Sequence, residues 1–347
     1  MGRLRFGGGD FARGGITAAV MAGRRGALPL RVRYVTDSRG HYLDLASTSR
    51  NLTPNELRLQ ACWEDQSVAK RIEPTARQMR LAVELRRLRD AAGLTSREAA
   101  ALLGVSAPQI SQIEAGLAGV SEKRLRRLAA NYSCSDDELI EALVAMTKDR
   151  TRGWWEEYRE LLPTPFLDLA ELEHHATFLK EVQFLFIPGP LQTEDYARAV
   201  FSDRVPDLPA EEVELRVRHR MQRKATVSTT PYEAVVHEAA LRIMVSDRPA
   251  SRTQLAHVLE TSEAEHVTVR VIPFHLEGFA SAASAMTYAG GVVPKLDTVV
   301  RDGPHGAAFI DSEAQLGAFR TLFHKVETVS LDPERSRDFI HRLAKEL

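Results

Sequence analysis

Cysteine is nearly missing from this 347-residue chain: only Cys62 and Cys134 occur, far apart and outside any C-x-x-C pair. That excludes a secreted disulfide scaffold and fits a reducing cytoplasm. Long apolar runs are missing too, none approaching the roughly 20 residues of a membrane span, which argues against a membrane protein. The apolar stretch from Gly15 to Ala22 is short and Arg24-Arg25 follows it, whereas a secretory signal carries its basic residues first. No export signal is read, and a cytoplasmic location is expected. Catalytic signatures are equally scarce. There is no G-x-S-x-G turn, and Gly7-Gly8-Gly9 lacks the Lys-Ser/Thr continuation of a phosphate loop. His237-Glu238 opens like a metalloprotease helix, but position 241 is Leu, where the second metal-binding histidine would stand. His174-His175 are adjacent, point to different helix faces and make a poor chelate. The expectation is a non-enzyme with no catalytic residue, cofactor or metal.

What is there divides unevenly. The length suits two domains, and the net charge of −1 conceals a partition. Residues 1–75 carry 12 basic and 7 acidic residues, 76–132 carry 10 and 5, and 133–347 carry 24 and 35. One end suits a polyanion and the other does not. Residues 1–76 form a leader rich in Gly and Arg at its start, with one candidate hairpin, Arg31 to Val35 and His41 to Leu45 around Ser38-Arg39-Gly40. Because Met79 directly precedes the first strongly helical run, the leader is expected to be poorly ordered or an upstream extension.

From residue 77 the pattern becomes helical. Leu81, Leu85 and Leu88 form an i, i+4, i+7 stripe backed by arginines, and Gly93 stops the run. Thr95-Ser96-Arg97-Glu98 is a capping box that opens a short helix with Ala99, Leu102 and Leu103 inward and Gly104 at its end. Ser106-Ala107-Pro108-Gln109 reads as a second box, since a first helical turn tolerates proline. Ile110 and Ile113 then face inward until Gly116. Two more helices fit Ser121 to Tyr132 and Ser135 to Met146, the latter capped by Ser135 and Glu138. The expected fold is mainly α: a five-helix bundle over 77–147, followed by an α+β domain over 150–345. In the latter, helices are expected at about 168–184, 193–202, 209–224, 250–264, 311–326 and 333–346. Strands are expected at Tyr232 to His237, Val267 to Ile272, Ala285 to Ala289 and Thr298 to Arg301.

The run from Leu94 to Gly116 reads as one unit: a small residue where two helices cross (Ala99), a glycine at the turn (Gly104), and apolar residues that set the second helix at a fixed angle. On these residues, 77–132 resemble the xenobiotic-response-element family of helix-turn-helix regulators. The resemblance implies sequence-specific binding of double-stranded DNA by a homodimer, with helix 106–115 in the major groove. Ala107, Pro108, Ser111, Gln112 and Ala115 lie opposite Ile110 and Ile113. Ala107, Pro108 and Gln112 are the candidate base contacts, because a glutamine amide can pair with the adenine edge and small apolar groups can touch thymine methyls. Arg97, Ser111, Lys123 and Arg124 are candidates for the backbone phosphates. The family often has Gln at the position of Arg97. Glu114 reads as structural, tying the recognition helix to a nearby backbone group or arginine.

Further along, Trp154-Trp155-x-x-Tyr158, Ile187-Pro188-Gly189-Pro190-Leu191-Gln192-Thr193, His237 to Arg242 and Val269 to Phe274 together resemble the uncharacterised C-terminal domain of actinobacterial antitoxin-like regulators. That group usually has Leu where Pro190 stands, and its Arg-x-x-Arg-Gln run is altered around Arg216 to Arg223. The resemblance implies regulation, frequently with a small cognate partner protein. Pro188-Gly189-Pro190 reads as a rigid turn with Thr193 capping the next helix. The alternative is an antitoxin-like interaction module that binds a small partner protein without operator control.

Overall fold

The computed structural model describes residues 35–36, 42–43, 74–148, 153–277, 285–303 and 306–347. The chain divides into two units, 1–72 and 73–347. In the first, β1 (Val35–Thr36) pairs antiparallel with β2 (Tyr42–Leu43), within the span of the expected hairpin. The other expectations about the leader lie outside the described residues.

The second unit opens with five helices: α1 (Ala76–Ala91), α2 (Ser96–Leu103), α3 (Ala107–Glu114), α4 (Glu122–Asn131) and α5 (Asp137–Lys148). Thr75 caps α1 in a box with Gln78, and Thr95 caps α2 in a box with Glu98; such caps contribute about 1 kcal/mol each. Gly104 ends α2 with φ 75°, a left-handed conformation that a side chain with Cβ resists. Gly116, after α3, has φ 71°, and a Cβ there would meet Pro74 and Met79 at 3.2 and 3.0 Å. Leu85, Ala99, Ile110, Leu125, Leu128 and Leu143 form the bundle core.

Three details of the sequence reading are corrected. Leu102 is exposed and Ala100 is buried in its place: at about 100° per residue either residue completes an apolar side with Ala99 and Leu103, and packing against Ile110, Leu125 and Leu128 selects the side that holds Ala100. Ser106 makes no side-chain cap, because the Gln109 amide donates to the Ser106 carbonyl at 3.0 Å. Asp136, not Ser135, caps α5, accepting from the Leu139 amide at 3.1 Å.

Beyond α5 a six-stranded sheet is ordered β5-β4-β3-β6-β7-β8, with β3 (Phe178–Gln183), β4 (Tyr232–His237), β5 (Val267–Ile272), β6 (Met286–Gly290), β7 (Thr298–Gly303) and β8 (Gly306–Ile310). Strands β3, β4 and β5 run parallel, and the remaining neighbours pair antiparallel. Helices α6 (Thr164–His175), α7 (Glu194–Ser202), α8 (Ala210–Val227), α9 (Glu238–Arg242), α10 (Arg248–Thr261), α11 (Glu313–Val329) and α12 (Pro333–Glu346) complete the unit. Leu179, Ala234, Val236, Val269 and Val271 pack with Leu255 of α10 and Ile340 of α12. On the opposite face Val182, Val235, Ile272 and Val299 pack with Leu316 and Phe323 of α11. Three layers result, with a core on each face of the sheet.

The expected helix over 168–184 is two elements: α6 ends at His175, and Phe178–Gln183 is a central strand. Lys180, Glu181 and Gln183 are residues of low strand preference. In the fold, Glu181 is buried and held by the Tyr232 hydroxyl at 2.7 Å and the Gln183 amide at 2.8 Å, so tertiary partners override local preference. Strand β8 and the short α9 were not anticipated.

The Pro188-Gly189-Pro190 turn is tied from several sides. Gln192 is buried, donating to the Ile187 carbonyl at 2.7 Å and accepting from Arg220 at 2.6 Å. Gln254 accepts from the Thr193 amide and donates to the Leu191 carbonyl, each at 2.7 Å. The Tyr196 hydroxyl accepts from the Ile187 amide at 3.2 Å. Nearby, Arg223 and Glu173 form a buried bidentate pair.

The helical bundle rests directly on the α+β part. Arg80, on the face of α1 away from the bundle core, is 7% exposed and donates to the carbonyls of Asp311 (2.9 Å) and Lys295. It also pairs with the Asp311 carboxylate at 3.0 Å and with Glu84 at 3.2 Å. Arg87 reaches the same Asp311 carboxylate at 3.1 Å. Val293 and Leu296, from the β6–β7 connection, pack into the bundle core. Lys295 pairs with Asp136 at 3.2 Å, and the Ala76 amide donates to Asp168 at 2.9 Å.

His219 of α8 is 1% exposed, enclosed by Trp154, Tyr158 and Phe166 with ring centroids 5.0 to 5.7 Å away, and its Nε2 has no hydrogen-bond partner. Burial, helped by Arg223 and Arg220, pushes its pKa down to about 3. The unfolded chain therefore takes up this proton below pH ~6.5 while the folded chain does not, so stability falls as pH drops from there toward about 3. Between pH 6.5 and 5 the unfolding free energy of wild type is expected to fall relative to His219→Phe by about 1.6 kcal/mol in all, the slope steepening toward about 1.4 kcal/mol per pH unit at the acid end. Urea denaturation at both ends of that range checks this; parallel pH dependence in the two proteins would refute it.

Candidate nucleic-acid interface

Helices α2 and α3 are joined by Gly104, Val105 and Ser106, and the angle of α3 is set by what it buries. Ile110 and Ile113 are 1% and 3% exposed. At about 100° per residue this turns Pro108, Ser111, Gln112 and Ala115 to the other side. Pro108, Ser111 and Gln112 are exposed, while Ala107 and Ala115 are half-buried on the flanks. The Gln112 side chain makes no hydrogen bond among the described residues, although its backbone carbonyl accepts from Leu117 and Ala118 at 2.9 and 3.1 Å. The Ser111 hydroxyl donates to the Ala107 carbonyl at 3.2 Å, leaving its oxygen able to accept and committing its proton inside the helix.

The cations of the bundle sort into two sets. Arg80, Arg87 and Arg89 are held by carboxylates or carbonyls at part-buried contacts. Arg126 pairs with Glu122 and Glu141, and Arg127 donates to the Leu102 carbonyl at 2.9 Å. By contrast Arg97 at the start of α2, and Lys123 and Arg124 at the start of α4, are exposed and have no side-chain partner among the described residues. An exposed guanidinium or ammonium with no internal partner is available to a phosphate. The acids beside them are engaged: Glu98 accepts from the Thr95 amide at 2.8 Å and its hydroxyl at 2.7 Å, and Glu122 takes Arg126 and Lys148 at 2.9 and 3.0 Å. Those hydrogen bonds hold both carboxyls below the ordinary range.

Glu114, in the last turn of α3, receives Arg89 Nε and Nη2 at 2.7 and 2.9 Å, and Arg89 Nη1 also donates to the Leu94 carbonyl at 2.6 Å. Both side chains are under 10% exposed. The hydrogen bonds that Arg89 donates to Glu114 raise the Arg89 pKa against the opposing effect of burial. The pair links α1 to the end of α3. The expectation that Glu114 ties α3 to a nearby arginine or backbone group is met by Arg89; the i, i+4 spacing of Arg80 and Glu84 is the sign in the sequence that the other face of α1 is paired too.

In the α+β part, His237 and Glu238 hold the exit of β4. His237 Nδ1 accepts from the Ala239 amide at 3.1 Å, capping α9, and Glu238 accepts from Arg242 at 2.5 Å and from the Phe274 amide at 2.8 Å. Among the described residues no helix is long and apolar enough to cross a membrane.

Residues 80–143 match a family model described as a helix-turn-helix domain, and residues 166–342 match one described as a domain of unknown function, DUF5753. No curated protein and no solved structure matches the chain.

Removing one partner of a buried ion pair leaves the other uncompensated, a loss of roughly 3–5 kcal/mol. Because Arg89 keeps the Leu94 carbonyl and the Asp90 carboxylate at 2.7 Å, Glu114→Ala is expected to lower the stability of the second unit by less than that, roughly 1.5–3 kcal/mol, while Gln112→Ala, two residues earlier but exposed, shifts it by less than about 0.5 kcal/mol. Thermal or urea unfolding of the two variants distinguishes them, and equal losses would contradict the assignment.

Proposed function

The chain belongs to the family defined by the domain of unknown function DUF5753 and carries a helix-turn-helix domain ahead of it, and on that basis we propose that it is a sequence-specific DNA-binding transcriptional regulator. The observation that carries the proposal is the outward face of α3: Pro108, Ser111 and Gln112 exposed and, among the described residues, the Gln112 amide unengaged and Arg97, Lys123 and Arg124 the cations of the neighbouring helices without a side-chain partner. In this reading α3 enters the major groove. Gln112 reads a base edge with Ala107 and Pro108 in van der Waals contact, and Arg97, Ser111, Lys123 and Arg124 grip phosphates. The type is that of the xenobiotic-response-element regulators, with the antitoxin-like C-terminal domain acting as a sensor of an effector or small partner protein.

The contribution of the α+β part follows from how it holds α1. A helix-turn-helix module is small and makes few contacts, so two copies on paired half-sites are needed for selectivity, and their spacing must be defined. The Arg80, Arg87 and Asp311 cluster gives the bundle one orientation on the sheet domain. A homodimer built through that domain would present two α3 helices at a set separation, in the cytoplasm, without catalysis or a cofactor.

Gel-shift or anisotropy titration on selected operator DNA tests the reading. Gln112→Ala is expected to relax preference at one base pair by roughly 1–3 kcal/mol while leaving non-specific affinity intact. Arg97→Ala is expected to weaken binding to all sequences alike and to reduce the slope of log K against log salt by about 0.9 per module. If both variants bind as wild type does, the interface is elsewhere.

A further inference from the structure

The two edges of the sheet are treated differently. At β5 the edge is closed: Val271 donates to the Ser336 hydroxyl at 3.0 Å and accepts from the Leu331 amide at 2.9 Å. At the other edge, β8 pairs only with β7. An antiparallel neighbour satisfies the backbone of alternate residues, leaving the N–H and C=O groups between them directed outward. Among the described residues, none of 307–310 hydrogen-bonds to a group beyond β7. Edge strands are ordinarily protected by a lysine, a proline, an inward charge or a cover. Here Gly306-Ala307-Ala308-Phe309-Ile310 has no charge and no proline, and Ala308 is exposed.

We propose that β8 is the interface for a second copy of this chain, pairing antiparallel with β8 of the partner about a two-fold axis at Ala308 and joining the two sheets into one. Self-pairing about that residue sets Phe309 against the small side chain of Ala307 of the partner subunit, and Ala308 against itself. It brings no like charges into opposition, whereas a charge at the on-axis position would face its own copy. The axis lies three residues from Asp311, whose carboxylate and carbonyl hold Arg80 and Arg87 of α1. The pairing would therefore set the separation of two helix-turn-helix modules through a short, rigid path. This inference supplies the surface for the homodimer of the proposed function and rests on that reading only for its use, since strand pairing itself requires no DNA.

Sedimentation velocity without DNA tests it. Wild type is expected to be a dimer that dissociates on dilution. Ala308→Lys, which places two ammonium groups face to face on the axis, is expected to be monomeric with unchanged circular dichroism, and mixing it with Ala308→Glu restores the dimer. The monomeric variant is expected to keep wild-type affinity for one half-site and to lose at least tenfold on a paired site, so failure of DNA binding and failure of dimerisation register separately. A wild type monomeric at every concentration, or an Ala308→Lys variant that dimerises as wild type does, would overturn the proposal. Should Ala308→Lys unfold, amide hydrogen exchange of residues 307–309 in wild type decides: protection must rise with protein concentration. Protection that appears only on adding another polypeptide assigns the edge elsewhere and refutes self-pairing.

Discussion

The contact between Arg89 and Glu114 is the constraint on which the orientation of α3 depends. Helix α3 has two buried side chains, Ile110 and Ile113, and two apolar contacts on a short helix define a hinge more readily than an angle. The bidentate pair adds a third, directional point at its C-terminal end, and the Leu94 carbonyl holds the same guanidinium. Such a pair adds little net stability, because desolvation offsets most of the attraction. Its contribution is orientational: planar guanidinium and carboxylate meet in one relative pose. With Ile110, Ile113 and Glu114 engaged, Pro108, Ser111 and Gln112 are the residues of α3 left facing outward.

The same economy of charge runs through the rest of the bundle. Of its cations, Arg80, Arg87 and Arg89 of α1 are held internally, by Glu114 on the bundle side and by Asp311, Glu84 and the Lys295 carbonyl on the side facing the sheet, while Arg86 stays exposed beside Asp90 at 3.7 Å. Those without a side-chain partner among the described residues, Arg97, Lys123 and Arg124, sit at the starts of α2 and α4, where the helix N-termini themselves favour an anion. A basic composition alone would have distributed attraction over the whole surface. Internal pairing confines it to one region and at the same time fastens the bundle to the α+β part, so the orientation of α3 and the availability of cations around it follow from one set of carboxylates.

The α+β part shows how polar residues are accommodated in a covered sheet. Glu181, buried on the central strand, is held neutral-leaning by burial while Tyr232 and Gln183 bond it. Arg223 and Glu173 pair between α8 and α6, and Gln192 and Gln254 bind the turn around Gly189 to α8 and α10. These residues are distant in sequence and adjacent only after the strands assemble, so none of them advertises its role locally.

Local chemistry settled much from the sequence alone. The boxes at Thr95 and Glu98, the glycine stops at Gly104 and Gly116, the Thr193 cap and the alternation of Tyr232 to His237 and Val267 to Ile272 are properties of a few consecutive residues, and each appears where the pattern places it. The outward set Pro108, Ser111 and Gln112 follows from the same periodicity. What only tertiary structure decided was where distance in sequence closes: that Phe178–Gln183 is a central strand, that Ala100 and not Leu102 is buried, and that Arg80 and Arg87 belong to Asp311 some 230 and 220 residues away. Periodicity reports which side of an element is apolar, but the partner that pairs with a charge or covers a strand is supplied by another element, and its position exists only in the assembled chain.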